Sequence, residues 1–369
     1  MTNHLIMDKT YLPPLEGWRG VLALSVVFFH FSQLYFDAKY APWGYLAVDF
    51  FFALSGFIIA RQYEASIVMR TVDFKKFAIR RLARLYPLYA FSILVAVLIN
   101  QYTLEWDSPL KIQDFGFGPS LVMWVIVQLT MTGALFMLPQ PNGPTWSVSA
   151  EWVVNIVFFG LVWRYRRIPN VLLWSIVACG ALYLISVSPQ TLETPTKNVP
   201  MARAIVGFCL GWLIFRYHKK LPVIQLSYLY VFETVLMIIT LWMTVYHDDV
   251  VKAGGDYIFE LILIPTLITV SLYRGGIIGF IFSLPVCTFL GRISYSIYLL
   301  HYPLTYLVVH NDWLMSFSSP SLGILYIGIL IVVATTAYIV IEKPGRALGR
   351  YLTRKPIAVE GAPAPAVAN

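Results

Sequence analysis

Charged side chains are scarce in this 369-residue chain. Asp, Glu, Lys and Arg make up 12% of it, whereas 58% of its residues are hydrophobic. A soluble domain carries about a quarter charged residues, so this composition excludes an ordinary soluble protein. The mean hydropathy of +0.69 and the aromatic content of 16% are typical of a polytopic membrane protein with aromatic belts at both interfaces.

Cysteine is equally scarce, which excludes a disulfide framework. Cys179, Cys209 and Cys287 all lie in apolar stretches, so we expect them to pack in the core as free thiols. We expect no metal site. The N-terminal sequence "MTNHLIMDKTYLPPLEG" carries little positive charge and no small-residue cleavage site follows it, so no cleavable signal peptide is predicted.

Long apolar runs are abundant, and a membrane span needs about 20 such residues. Eleven candidates lie near 17–36, 44–61, 85–101, 119–138, 149–164, 170–187, 201–216, 224–246, 257–273, 293–310 and 321–342. A further run, 276–287, is too short to cross.

Basic residues decide which candidates cross, because cytoplasmic loops are enriched in Lys and Arg. The connection 61–84 holds seven of them, and others cluster at 164–167, 216–220 and 343–355. All of these clusters are cytoplasmic only if 119–138 does not cross, so we predict that this segment is re-entrant or tilted. The sequence thus predicts an all-α polytopic protein with about ten transmembrane helices and both termini cytoplasmic. The net charge of +8 then reflects the excess of Lys and Arg in the cytoplasmic loops, and no nucleic-acid partner is expected.

No fixed-period repeat and no appended soluble domain is evident. We predict one membrane-embedded domain over 1–352 and a disordered cytoplasmic tail over 353–369. Irregular backbone at membrane depth survives only where protein or a water-filled cavity covers it. The segment 119–148 is therefore expected to line a cavity.

The first span, "LEGWRGVLALSVVFFH", contains Arg19 and His30. Eleven residues are close to three full turns, so the two share one helix face about 16 Å apart. Ionisable residues within a span are costly and suggest function. The structural alternative is an arginine that snorkels and a histidine that packs.

A second candidate lies in "NGPTWSVSAEWVVN", residues 142–155. Glu151 is expected near a helix N-terminus, where the dipole favours a carboxylate, and Asn155 shares its face. Glu151 and His30 fall at similar depth, so we expect Glu151 to orient the His30 imidazole. The alternative is that Glu151 is a structural partner of another polar group.

Two further blocks carry polar residues. In "RRLARLYPLY", Arg80 and Arg84 share a face and Arg81 flanks them, an arrangement that suits phosphate oxygens; a plain positive-inside anchor is the alternative. In "GRISYSIYLLHYP", a stripe of Ser294, Tyr298 and His301 recurs at helical spacing. Interhelical hydrogen bonding explains that stripe equally well.

Asp49 and Arg203 complete the set of ionisable residues inside predicted spans. They pair either with each other, as a structural ion pair, or with substrate. The sequence leaves the two roles open.

These blocks, in this order, resemble the acyltransferase family 3 membrane proteins. The similarity rests on "LEGWRGVLALSVVFFH", "FFALSGFIIAR", "RRLARLYPLY", "TWSVSAEW", "GRISYSIYLLHYP" and "YIVIEKPGR", which together run from about residue 15 to 346. The resemblance implies transfer of an acyl group, most often acetyl, from acyl-coenzyme A to a hydroxyl of a cell-surface or lipid-linked carbohydrate. It also implies a multi-pass protein of the bacterial cytoplasmic (inner) membrane.

The resemblance assigns roles as follows. His30, Glu151 and Arg19 are the expected catalytic residues, and Arg80, Arg81 and Arg84 the expected coenzyme A phosphate contacts. The polar residues of the spans, independently of the resemblance, give the expected substrate-binding or accessory residues, which are Asp49, Ser147, Ser149, Asn155, Arg203, Tyr298 and His301.

Two mechanisms and one other function stay open at this point. His30 acts as a general base on the acceptor hydroxyl, with Ser147, Ser149 or Tyr298 as oxyanion donors, or it carries the acyl group covalently. The acceptor is a surface carbohydrate, peptidoglycan or a lipid. The alternative function is a transporter or flippase of a sugar or lipid-linked substrate, although no inverted repeat supports it.

Overall fold

The computed structural model describes residues 12–36, 41–103, 121–136, 140–193, 199–273 and 275–354. These residues form helices and turns and contain no β-strand, which confirms the all-α prediction. Of the predicted tail 353–369, residues 355–369 lie outside the described part, and the domain boundaries stay a prediction.

Seventeen α-helices occur in the described ranges, and most of the long ones match predicted spans. They are α1 (Pro13–Phe36), α2 (Ala47–Val68), α3 (Phe74–Thr103), α4 (Leu121–Leu129), α5 (Gly133–Phe136), α6 (Thr145–Tyr165), α7 (Asn170–Val187), α8 (Val199–Tyr217), α9 (Leu226–Val245), α10 (His247–Lys252), α11 (Gly255–Ile258), α12 (Ile264–Val270), α13 (Ile277–Phe282), α14 (Pro285–Val309), α15 (Asp312–Met315), α16 (Ser319–Ala337) and α17 (Lys343–Leu352). A π turn joins α11 to α12 (Phe259–Leu263), and another joins α16 to α17 (Tyr338–Glu342).

Seven helical segments of the described chain are long and apolar enough to cross a membrane. They contain α2, α3, α6, α7, α8, α9 and the joined α16–α17. The other three predicted spans correspond to α1, α14 and the joined α11–α12. The count of ten and the cytoplasmic termini therefore stay predictions.

The segment 121–136 is broken. Helix α4 has nine residues and α5 has four, so neither approaches the ~20 residues of a span. The chain turns at Met131, whose φ is +54°. Ser149 on α6 stabilises the break, because its hydroxyl donates to the Met131 carbonyl oxygen (2.8 Å) and accepts from the Ala134 amide (3.0 Å).

Glycines bring two helix pairs into backbone contact. A Cβ on Gly291 of α14 would lie 2.0 Å from the Glu16 carbonyl oxygen of α1, and one on Gly211 of α8 would lie 1.8 Å from the Ala53 carbonyl oxygen of α2. Small residues permit this approach between membrane helices. As a result α1, which carries the predicted catalytic residue His30, and α14, which carries the predicted accessory residue His301, are held side by side.

Candidate active site

A cavity lies among α1, α2, α3, α6 and α14. It brings together polar residues from five of the sequence blocks that were singled out. Its polar and charged lining consists of Arg19, Ser55, Arg81, Arg84, Ser147, Glu151, Ser294, Tyr295 and Tyr298. The rest of the lining is apolar and comes mainly from α2.

Glu151 is the acidic member of this lining. Its Oε1 accepts hydrogen bonds from Arg81 Nη2 (2.8 Å), Ser55 Oγ (2.8 Å) and, more weakly, Asn155 Nδ2 (3.4 Å). Helix α6 begins at Thr145, which places Glu151 beyond the first turn, where the dipole effect fades. The expected stabilisation by the helix N-terminus is therefore wrong, and Arg81 and Ser55 take that role.

The three arginines of the 80–84 cluster do not all face the same cavity. Arg81 and Arg84 line the cavity with Arg19. Arg80 instead donates from Nε to the Thr353 hydroxyl (2.7 Å) and lines a different cavity. The expectation that Arg80 and Arg84 face one site is wrong, because residues at i and i+3 on α3, Arg81 and Arg84, are the pair that faces the interior.

Among the described residues, neither Arg19 nor Arg84 makes a side-chain hydrogen bond to a protein group. Both are half-buried in the cavity wall. Buried guanidinium groups are normally paired or hydrogen-bonded. Two such groups facing one cavity therefore suit an anionic ligand.

His30 has a different partner from the one that the sequence suggested. Its Nδ1 lies 3.1 Å from His301 Nε2, whereas the hydrogen bonds of Glu151 go to Arg81, Ser55 and Asn155. The Glu151–His30 pair was inferred from similar depth alone. Depth does not fix the side of a helix from which a residue projects.

The hydrogen-bond partners assign the tautomers of the two histidines. His301 Nδ1 lies 2.7 Å from the Tyr298 carbonyl oxygen, to which it must donate. His301 Nε2 then has only a lone pair, so His30 Nδ1–H donates to it, and also faces the Val26 carbonyl oxygen at 3.1 Å. His30 Nε2 is thereby left with a free lone pair. His301 is fully buried and His30 is half-buried.

Tyr298 connects the cavity to the histidine pair. Its hydroxyl lies 2.6 Å from the Ser147 hydroxyl in the cavity wall, and its carbonyl oxygen accepts from His301. Neither His30 nor His301 belongs to the cavity lining. Ser147 also donates to the Pro144 carbonyl oxygen (3.0 Å). The predicted stripe of Ser294, Tyr298 and His301 therefore runs from the cavity to the histidines.

Asp49 and Arg203 form a buried ion pair, each 1% exposed. Arg203 donates to both Asp49 oxygens, at 2.9 and 2.6 Å, and to the carbonyl oxygens of Leu192 (2.9 Å) and Tyr45 (3.0 Å). All three guanidinium nitrogens are thus satisfied by protein groups. Of the two roles left open, the geometry favours the structural one. The geometry also favours a structural role for Ser149, because its hydroxyl binds the backbone on both sides of the break at Met131.

The sequence reasoning missed Ser55 and the pair formed by Glu342 and Arg346. Ser55 bridges Glu151 and Arg81, and its only signal was a hydroxyl beside a glycine in "FFALSGF". Glu342 is 1% exposed, ends the π turn 338–342, pairs with Arg346 and accepts from the Ser296 hydroxyl (3.1 Å). The sequence feature that could have identified Glu342 is the charged stretch "EKPGR", which follows an apolar run.

Relatives of the chain include proteins named as peptidoglycan O-acetyltransferases, one of them as a putative one. The peptidoglycan O-acetyltransferase OatA of Listeria monocytogenes is 23% identical over 93% of this chain and 57% of its own length. YrhL of Bacillus subtilis is 24% identical over 94% of this chain and 56% of its own length. The chain therefore spans a little more than half of these two relatives. "Protein 2 in picA locus" of Rhizobium radiobacter is 36% identical over 39% of this chain and 78% of its own length.

No solved structure is significantly similar to the chain. The family model described as "Acyltransferase domain" matches residues 13–342, which include every residue placed in the cavity wall and both histidines. This match covers most of the 369 residues. The chain therefore belongs to acyltransferase family 3.

Proposed function

We propose that the chain transfers an acyl group, with acetyl as the expected group, from acyl-coenzyme A to a hydroxyl of a cell-surface or lipid-linked carbohydrate. The proposed location is the bacterial cytoplasmic membrane. The observation that carries the proposal is the cavity in which Arg19, Arg81, Arg84 and Glu151 converge, in a chain of an acyltransferase family.

The chemistry of the cavity supports a phosphate-bearing donor. Guanidinium groups bind phosphate oxygens through paired, charge-assisted hydrogen bonds. Arg81 is held by Glu151 and Ser55, while the donor hydrogens of Arg19 and Arg84 make no side-chain hydrogen bond among the described residues. In the proposal these two arginines bind the phosphates, and Glu151 keeps Arg81 in place beside them.

The histidine pair supports general-base catalysis. In the proposed step, the acceptor hydroxyl loses its proton to His30 Nε2 while its oxygen bonds to the thioester carbonyl carbon. The C–S bond then breaks, and the proton passes from His30 to the departing sulfur. His301 accepts from His30 Nδ1–H and so keeps Nε2 available as the base.

The hydroxyls of Ser147 and Tyr298 are the proposed donors to the developing oxyanion, toward which each would turn its hydrogen from its present partner. They lie 2.6 Å apart in the cavity wall, and the carbonyl oxygen of Tyr298 accepts from His301. The alternative in which His30 carries the acyl group covalently differs in one observable. Labelled acetyl-coenzyme A, supplied without acceptor, labels the protein only on the covalent route.

Ligand-induced thermal stabilisation of the purified full chain tests the donor assignment. Acetyl-coenzyme A is expected to raise the unfolding midpoint of the wild type, and Arg84→Gln to lose most of this shift. Arg167→Gln removes an exposed charge and serves as the matched control. If the wild type responds to no acyl-coenzyme A, or if Arg84→Gln responds normally, the donor assignment is wrong.

His30→Ala tests the catalytic assignment. Loss of a general base is expected to lower acyl transfer by about 10²- to 10⁴-fold while leaving the unfolding midpoint close to that of wild type. His310→Ala is the control, because His310 is an exposed histidine at the C-terminal end of α14, outside the proposed site. Transfer at the wild-type rate in His30→Ala contradicts the mechanism.

The acceptor class rests on the relatives. OatA is named for O-acetylation of peptidoglycan, and we carry over only a carbohydrate hydroxyl as acceptor. The O-acetyl content of isolated envelope polysaccharides, compared between cells that carry the wild type and cells that carry His30→Ala, identifies the acceptor fraction. An O-acetyl content that is equal in every polysaccharide fraction argues against a carbohydrate acceptor.

A further inference from the structure

A second cavity lies where the C-terminal end of α17 meets the start of α3. It is lined by Tyr63, Thr71, Val72, Lys76, Phe77, Arg80, Thr353 and Arg354. We refer to it as the C-terminal cavity. Arg80 faces it, whereas the next residue, Arg81, faces the candidate active site. The two cavities therefore share helix α3 but not their lining residues.

The charge of the C-terminal cavity has one sign. Lys76, Arg80 and Arg354 line it, and no Asp or Glu is in its lining. Among the described residues, neither Lys76 nor Arg354 forms an ion pair with a carboxylate. Three cations around one concavity repel one another, and an anion bound between them removes that repulsion.

The Arg80 side chain is held in a fixed orientation. Its Nε donates to the Thr353 hydroxyl (2.7 Å), which in turn donates to the Gly349 carbonyl oxygen (2.8 Å). This bond uses Nε and leaves both terminal nitrogens without a described partner. Thr353 is 4% exposed, so the threonine end of this hydrogen-bond chain is buried, while the Arg80 side chain is exposed. A fixed guanidinium beside a lysine provides hydrogen-bond donors for phosphate oxygens.

The position of the cavity gives a bound anion a structural consequence. Helix α17 lies directly on α3, since a Cβ on Gly349 would lie 2.7 Å from Ala83 Cβ, and one on Gly345 would lie 2.7 Å from the Ala83 carbonyl oxygen. An anion held by Lys76 and Arg80 on one side and by Arg354 on the other joins these two helices. Helix α3 also carries Arg81 and Arg84.

We propose that the C-terminal cavity binds a phosphate group, separately from the candidate active site, and thereby fixes the end of α17 to α3. The phosphate belongs either to the headgroup of an anionic phospholipid or to a soluble phosphate compound. Both sources present the same oxygens to Lys76, Arg80 and Arg354. The proposal does not depend on the donor or acceptor of the acyl transfer.

Thermal unfolding of the purified full chain tests this site. The probes are phosphatidylglycerol against phosphatidylcholine in mixed micelles, inorganic phosphate, and adenosine 3′,5′-bisphosphate. At least one phosphate probe is expected to raise the unfolding midpoint of the wild type. In Lys76→Gln/Arg354→Gln, binding of that probe is expected to weaken by about tenfold or more.

The matched control is Arg167→Gln/Lys219→Gln, which removes two exposed positive charges elsewhere and is expected to respond like the wild type. A response to phosphatidylglycerol alone identifies a lipid, and a response to the soluble probes identifies a soluble phosphate compound. Arg80→Lys keeps the charge but lacks Nε, so it should also weaken binding.

Arg84→Gln separates the two cavities, because it should lose the response to acetyl-coenzyme A and keep the response to the phosphate probe. The proposal is overturned if no phosphate probe stabilises the wild type. It is equally overturned if the two double variants respond alike.

Discussion

At the scale of single residues, the arrangement that governs the proposed chemistry is a pair of neutral imidazoles. The neutral His301 imidazole has one ring N–H, which donates a hydrogen bond to the Tyr298 carbonyl oxygen, so its other nitrogen can only accept. That acceptor fixes the proton of His30 on Nδ1. A carboxylate partner would fix the same tautomer and also stabilise the imidazolium that forms on proton transfer. Here the partner is uncharged, so it orients His30 without adding a negative charge.

This arrangement predicts the behaviour of His301 variants. In His301→Ala, His30 loses its acceptor and its Nε2 is no longer held in place, so kcat is expected to fall by about 10- to 100-fold with little change in the KM for the acyl donor. His301→Gln supplies an amide oxygen that accepts from Nδ1–H and should restore part of the loss. Steady-state transfer kinetics of both variants measure the difference.

A structural role alone gives a different result. If His301 only packs the core, Ala and Gln should lower the unfolding midpoint and leave kcat per folded molecule unchanged. If KM rises while kcat holds, His301 contacts the donor, and its role as a positioning residue is wrong.

Sequence reasoning identified most of the polar and charged residues that line the candidate active site, but not their hydrogen-bond partners. Arg19, Arg81, Arg84 and Glu151 stood out because a charged side chain is costly inside an apolar span. Which charges meet depends on helix rotation and on neighbours distant in sequence, as with Ser55. The Glu151–Arg81 pair was not predicted because nothing in either block points to the other.

At the scale of helices, contact between α1 and α14 brings the histidines together. A Cβ on Gly291 would lie 2.0 Å from the Glu16 carbonyl oxygen, which is backbone and cannot rotate away. Gly291→Ala is therefore expected to push the helices apart, at a cost of about 1–3 kcal/mol in stability. The His30–His301 hydrogen bond should weaken with it, which lowers acyl transfer.

Two glycines of α16 provide the control for this prediction. A Cβ on Gly323 or Gly328 would meet no atom within 4 Å. Alanine at either position should be neutral, or stabilise by up to about 1 kcal/mol through helix propensity. Unfolding midpoints and transfer rates of the three variants are compared. If Gly291→Ala behaves like Gly323→Ala, the close approach of α1 and α14 does not limit function.

The positions of the helices could be predicted from the lengths of the apolar runs, whereas the positions of the breaks could not. Helix α7 and its predicted span have the same bounds, 170–187. The break at Met131 depends on a hydroxyl from α6, 18 residues further along the chain. The π turns at 259–263 and 338–342 leave no periodic signal in an apolar run. Local sequence therefore predicts where a helix lies better than where it is interrupted.

At the scale of the whole molecule, topology decides where the two substrates meet. The sequence predicts ten crossings from loop charges, and the described helices include seven that satisfy the requirements of length and apolarity. Helices α1 and α14, which carry Arg19, His30 and His301, are not among these seven. Helices α3 and α6, which carry Arg81, Arg84 and Glu151, are among them.

Site-directed cysteine labelling tests the crossing count at the broken segment. Between the exposed residues Lys75 and Arg167 the chain contains α3, the segment 119–138 and α6. If that segment does not cross, both positions lie on the cytoplasmic side, and Asp249, exposed on α10, lies on the opposite side. We expect Asp249→Cys, in a cysteine-free background, to react with a membrane-impermeant maleimide in intact spheroplasts. Lys75→Cys and Arg167→Cys should react only after the membrane is permeabilised. Reaction of Arg167→Cys but not Lys75→Cys in intact spheroplasts would show that 119–138 crosses, and the later basic loops would then face outward against the charge rule.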